Sequence, residues 1–147
     1  MWPVSEGEWV FFMIQTGTMI ILILLSIWDL WKKQLPLILL ICLLLLAIMH
    51  VCQVSGWEKW ITLETAAVIG ICSGICAKKN KMGSGDVWVL SSLACIWSFD
   101  IYWKVIVTGG CILCMTAGMI WWHTQKSDTP VPMIPFLLLG YCIRGIL

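Results

Sequence analysis

Lys81-Met82-Gly83-Ser84-Gly85-Asp86-Val87-Trp88-Val89-Leu90 is the stretch around which this chain is organised. It carries a carboxylate, Asp86, out of a basic cluster (Lys78, Lys79, Lys81) and into an apolar run. Near the centre of a bilayer an Asp costs about 2.5–3.5 kcal/mol on insertion scales, so an ionisable group in such a setting is a candidate for function. Gly83 and Gly85 lack Cβ atoms, which lets the backbone bend and another chain come close. A plainer reading stands beside this one: a carboxylate at a helix start also serves as an N-cap for free backbone N–H groups.

Working outward, the 147 residues are 61% hydrophobic and 12% charged, with a mean hydropathy of +0.95. A water-soluble domain of this size carries nearer ~25% charged residues. Long apolar stretches recur along the chain, which predicts an all-α polytopic membrane protein with the lipid bilayer as its surroundings. The net charge of +1 gives no case for nucleic acid. Met1 to Glu8 holds Glu6 and Glu8 and no Lys or Arg. That does not read as a secretory n-region, and the first apolar run is expected to remain as an anchor.

Six spans are predicted in a single membrane-embedded domain over 1–147, at about 9–28, 36–54, 61–77, 83–100, 101–122 and 131–147. The run 87–99 is short for a span and reaches sufficient length only when extended at both ends. On that accounting Asp86 lies about one helical turn inside the membrane boundary. Trp9, Trp28, Trp31, Trp57, Trp60, Trp88, Trp97, Trp103, Trp121 and Trp122 fall at or near the proposed ends, where tryptophan favours the headgroup level. Trp88 and Trp97 also suit core packing. The excess of Lys and Arg sets orientation. Lys32, Lys33, Lys78, Lys79, Lys81 and Lys126 share one side; Lys59, Lys104 and Arg144 share the other. The first side is therefore expected in the cytoplasm, both termini outside, and Asp29 and Asp86 at the same cytoplasmic face.

The other acids have ordinary explanations. Asp100 precedes Lys104 by one turn and reads as an interfacial pair. Glu64 lies one turn inside the third run and snorkels outward, and Asp128 sits in a polar loop. His50 and His123 read as interfacial side chains. Cys72/Cys76 and Cys111/Cys114 have helical spacing, but no polar loop or nearby His completes a four-ligand zinc site. The thiols are expected to pack as small buried hydrophobes, with no metal and no cofactor.

Two carboxylates at one membrane depth suggest aspartic protease chemistry. Close Asp groups share a proton, so that one activates a water and the other donates to the carbonyl under attack. Gly83-Ser-Gly-Asp86 resembles the Gly-x-Gly-Asp motif of the prepilin peptidases, a family of intramembrane aspartic proteases. Asp29-Leu-Trp-Lys-Lys-Gln-Leu-Pro36 is similar to the family's first site, an Asp followed by basic residues and an apolar-Pro-Asn turn. Val131-Pro-Met-Ile-Pro-Phe-Leu-Leu-Leu-Gly140 resembles its Pro-Phe ending in the last span. The three stretches lie in the family's order from end to end of the chain. Leu37 stands where the family has Asn, and Trp88 where it often has Lys. The cytoplasmic Cys-x-x-Cys pairs of the larger, methylating members are absent.

The resemblance implies a short-form peptidase with Asp29 and Asp86 catalytic, and Gly83 and Gly85 supporting the site. Lys32, Lys33, Pro36 and Pro135 would border the substrate. The implied substrate is a prepilin-like protein, such as a type IV pilin, a tight-adherence (Flp/Tad) pilin, a competence pseudopilin or a preflagellin. Its short basic leader would be cut at the cytoplasmic membrane border. The presenilin and signal-peptide-peptidase group shares the Gly-x-Gly-Asp motif, but this chain is too short for nine spans. A small transporter or accessory membrane protein with paired intramembrane carboxylates is the alternative from another class; an inactive family member is a third. The lysine distribution yields a first test. Single cysteines placed at Lys79 and Lys59, in a background without reactive thiols, are expected to label from opposite sides of the membrane. Labelling of both from one side would contradict the orientation.

Overall fold

The computed structural model describes residues 6–32, 35–79, 83–124 and 131–144. Six helices make up this part of the chain: α1 (Glu6–Lys32), α2 (Leu37–Gln53), α3 (Trp57–Lys78), α4 (Ser84–Ile96), α5 (Phe99–Thr124) and α6 (Ile134–Arg144). Pro36 opens α2 with its φ held at −69°, and Gly56 opens α3 at φ +73°, a left-handed conformation that glycine adopts without a Cβ penalty.

Three helices are long and apolar enough to cross a membrane: Glu8–Lys32 within α1, then Trp57–Lys78 and Phe99–Thr124. The others are shorter. At 1.5 Å per residue, the 13 residues of α4 extend over roughly 20 Å and the 11 of α6 over roughly 17 Å, less than the ~30 Å of a hydrocarbon core. The stretch 83–100, expected to run as one span, is broken. Helix α4 ends at Ile96, Trp97 is extended (φ −95°, ψ 140°), and Asp100 belongs to the first turn of α5.

Of the shorter helices α4 is the most buried, while α3 and α5 lie on the outside. Helix α4 packs against α2 and α3, α6 packs against α1 and α5, and α1 also meets α2. Only 6% of the apolar window in α3 and 11% of that in α5 is buried, against 33% in α1. Outward-facing Val68, Ile71, Met115, Met119 and Trp122 leave α3 and α5 apolar on their free faces, as lipid-facing helices are. The core draws on Leu22 and Leu25 of α1, Leu43 and Ala47 of α2, Val89 and Leu93 of α4, Val105 of α5 and Ile134 of α6.

Several expectations are corrected here. Trp97 is 2% exposed and stacks on Tyr141 with ring centroids 4.8 Å apart, so it is a core side chain and not part of an interfacial belt. The cysteines are not buried: all except Cys95 are exposed, because they lie on helix faces turned away from the core. His50 is more than interfacial. Its Nδ1–H donates to the Cys95 carbonyl at 2.9 Å, satisfying an acceptor in the last turn of α4 that the helix cannot pair itself. The Asp100–Lys104 pair forms as expected, at 2.9 Å, and Glu64 is exposed. Lys81, Lys126 and Asp128 lie outside the described residues.

The α5–α6 crossing depends on two glycines that the sequence does not single out. A Cβ at Gly109 would meet the Phe136 carbonyl oxygen at 2.6 Å, and one at Gly140 would meet the Val105 carbonyl oxygen at 2.7 Å. Small residues at such a crossing let two backbones touch. Gly110, next in sequence, has open space. Gly109→Ala is therefore expected to destabilise the detergent-solubilised protein by about 1–3 kcal/mol. Gly110→Ala is expected to be neutral or stabilising, because Ala favours a helix over Gly. Thermal unfolding of the two variants side by side checks this; equal melting temperatures would contradict the crossing.

Candidate functional site

Asp86 sits in the first turn of α4, and the N-cap is Gly83. The plain N-cap reading of Asp86 is thereby corrected by three positions. The Asp86 carboxyl instead reaches back to the Gly83 backbone N–H, while the Asp86 amide donates to the Gly83 carbonyl at 3.2 Å. This is half of a capping box, in which the third helical residue returns to the cap.

The two glycines have different tasks. A Cβ at Gly83 would stand 3.2 Å from Asp86 Oδ2, and one at Gly85 would stand 2.6 Å from Leu35 Cδ1. Gly83 thus leaves room for the carboxylate. Gly85 lets the start of α4 abut the connection between α1 and α2. The close approach expected from the motif exists, and its partner is Leu35 of the same chain.

Asp29 lies on the inner face of α1 and is 9% exposed. That face also carries Ile14, Thr18, Leu22, Leu25 and Ser26, a spacing of three and four residues that forms one helical stripe. The backbone N–H of Ile134, the first residue of α6, is directed to the Asp29 carboxyl, and Asp29 Oδ2 has no partner. Sequence reasoning missed Ile134. The available signal was Pro135, since proline belongs in the first turn of a helix, where amides are free to point at an acceptor.

Asp29 and Asp86 come together. They line one cleft of about 490 Å³ with Leu35, Leu37, Leu40, Gly83, Ser84, Gly85 and Trp88, and the charge of Asp29 acts on Asp86. Asp86 belongs to the first turn of α4 and Asp29 meets the first amide of α6, and such helix starts carry partial positive charge that suits carboxylates. Lys32 does not pair with Asp29: its Nζ lies over the Trp28 ring, 4.9 Å from the centroid. Pro36 caps α2 and its carbonyl accepts from the Leu39 amide at 3.1 Å; its neighbours Leu35 and Leu37 line the cleft. Pro135 follows Ile134 at the start of α6. Lys33 lies outside the described residues.

The two departures from the resemblance, Leu37 and Trp88, both line this cleft and are both exposed. They give its rim an apolar character. Among the described residues no three His, Cys, Asp or Glu side chains gather as a metal-binding group. The cleft can hold two carboxyls against a polar segment of bound chain, with apolar walls on either side. Comparison of the chain with protein-family models, with curated proteins and with solved structures finds no match.

Proposed function

We propose that the chain is an intramembrane aspartic endopeptidase that removes the short basic leader of prepilin-like proteins at the cytoplasmic border of the membrane. The observation that carries this reading is the shared cleft of Asp29, on α1, and Asp86, at the start of α4. Close carboxyls resist double ionisation, so the pair holds one proton between them. The ionised carboxylate takes a proton from a water, whose oxygen bonds to the scissile carbonyl carbon. The protonated carboxyl donates to the carbonyl oxygen. Breakdown of the tetrahedral intermediate cleaves the C–N bond, and the departing amine receives a proton from the pair. The two groups titrate as a unit, so no single role is assigned to either.

In this reading the six apolar segments cross the membrane with both termini outside, α4 and α6 completing their crossings through the non-helical residues beside them, and the cleft opens to the cytoplasm. Lys32, Lys78 and Lys79 are exposed, and the cleft-lining Gly83 follows Lys78 and Lys79 within a few residues, which agrees with a basic cytoplasmic face. A substrate helix in the bilayer would present the junction of leader and apolar segment at the depth of the two aspartates. Lys32, Pro36 and Pro135 would border that segment, with Lys33 added by its place in the sequence.

One observation favours a second reading, a small carrier. Helices α4 and α6 are short, and their N-termini face the two carboxylates. Discontinuous helices that point their ends at a central site are a feature of transporters. Proteolysis separates the two. Co-expression with a prepilin-like substrate is expected to release the leader, seen as a gel shift. Asp29→Asn and Asp86→Asn are each expected to abolish release at unchanged membrane expression, and the double variant to cost little more than either single one. Cleavage by either Asn variant would remove the two-aspartate mechanism and leave the carrier reading in front.

A further inference from the structure

We propose that Ser26 is a positioning residue for Asp29, its hydroxyl donating to the Asp29 carboxylate as the reaction in the cleft reaches its transition state. The inference rests on the peptidase reading of the cleft and adds a group that the paired-aspartate chemistry leaves unassigned.

Ser26 is 5% exposed on the same inner stripe of α1 as Asp29. Its Oγ has no hydrogen-bond partner, and neither has Asp29 Oδ2. The threonines of these helices and Ser73 of α3 behave differently. Thr18 donates to the Ile14 carbonyl at 2.8 Å, Ser73 to Ile69 at 2.6 Å, and Thr116 to Ile112 at 2.8 Å. Each takes the bond to the preceding turn that a helical Ser or Thr normally takes. Ser26 does not, although Leu22 stands one turn before it. A buried hydroxyl without a partner is destabilising, so this one is held for a partner that comes with function.

Asp29 is that partner by geometry. Residues three apart on a helix have Cβ atoms about 5–6 Å apart, and helical side chains lean toward the N-terminus. The Asp29 carboxyl therefore leans over the turn that carries Ser26. The Ile134 amide engages the carboxyl from α6, and Asp86 faces it from α4. Lys32, one turn further along α1, is held on the Trp28 ring. Hydrogen bonds at a catalytic site often tighten only when substrate is bound. With Ser26 and Ile134 as donors, the carboxyl is fixed in the orientation that presents it to Asp86 and to the attacking water. No covalent bond to Ser26 forms or breaks, and its proton stays on Oγ.

The test uses purified full-length protein in detergent and a prepilin-like substrate with its leader. Ser26→Ala is expected to lower kcat by about ten- to hundredfold, the effect of losing one hydrogen bond to a charged group. KM should stay within about twofold, since the lost interaction is needed in the transition state and not for binding. The melting temperature should be unchanged or higher, because an unpaired buried hydroxyl has been removed. Ser26→Thr, which keeps the hydroxyl, should restore most of kcat. Unchanged kcat in Ser26→Ala, or a Thr variant as slow as the Ala variant, would overturn the role of Ser26 while an inactive Asp29→Asn protein leaves the peptidase standing. An active Asp29→Asn protein would instead overturn the peptidase reading beneath it.

Discussion

Asp29 is nearly buried on the inner stripe of α1, with one carboxyl oxygen lacking a partner and Asp86 facing it across the cleft. Two like charges in a low-dielectric setting repel, and removing each from water carries its own cost. The fold answers with backbone amides. Ile134 at the start of α6 and Gly83 at the start of α4 direct their N–H groups to the two carboxyls. The ends of α4 and α6 are placed by this requirement, and neither helix alone is as long as a hydrocarbon core is thick.

The rest of the architecture can be traced to holding those two helix starts in position. Gly85 admits Leu35, which seats α4 on the connection between α1 and α2. Gly109 and Gly140 allow α5 and α6 to touch through their backbones, which fixes α6 and hence the Ile134 amide. At the far end of α4, His50 takes up the Cys95 carbonyl. Trp97 then fills the interior against Tyr141, whose hydroxyl donates to Gln15 of α1 at 3.3 Å. Helices α3 and α5 flank this inner group and present apolar faces outward.

Much of this was legible in the sequence. Six apolar segments, the breaks at Pro36 and Gly56, the Asp100–Lys104 pair and a carboxylate one turn into the fourth segment are all readable from composition and spacing. The end of α4 was not, because an apolar run over 87–99 contains no residue that marks where the helix stops. The buried side of each helix was equally hidden. In lipid both the core and the outer surface are apolar, so the contrast that marks an inward face in a water-soluble helix is weak. For the same reason Gly109 and Gly110 read alike, the thiols read as buried although all but Cys95 are exposed, and Trp97 reads as either interfacial or core. The site was legible as far as its two carboxyls and its glycines. Its amide donors were not, since backbone groups carry no signature beyond a nearby proline.

The claim on which all of this stands is that Asp29 and Asp86 face one another. A direct measurement replaces both by cysteine in a background lacking the native thiols, inserts a protease site at residues 80–82, and treats the membranes with a short bifunctional thiol reagent before digestion. The arrangement described here predicts that the two fragments, one ending before α4 and one beginning with it, remain joined on a denaturing gel. Separation of the fragments, with both cysteines shown to be modified, would contradict it.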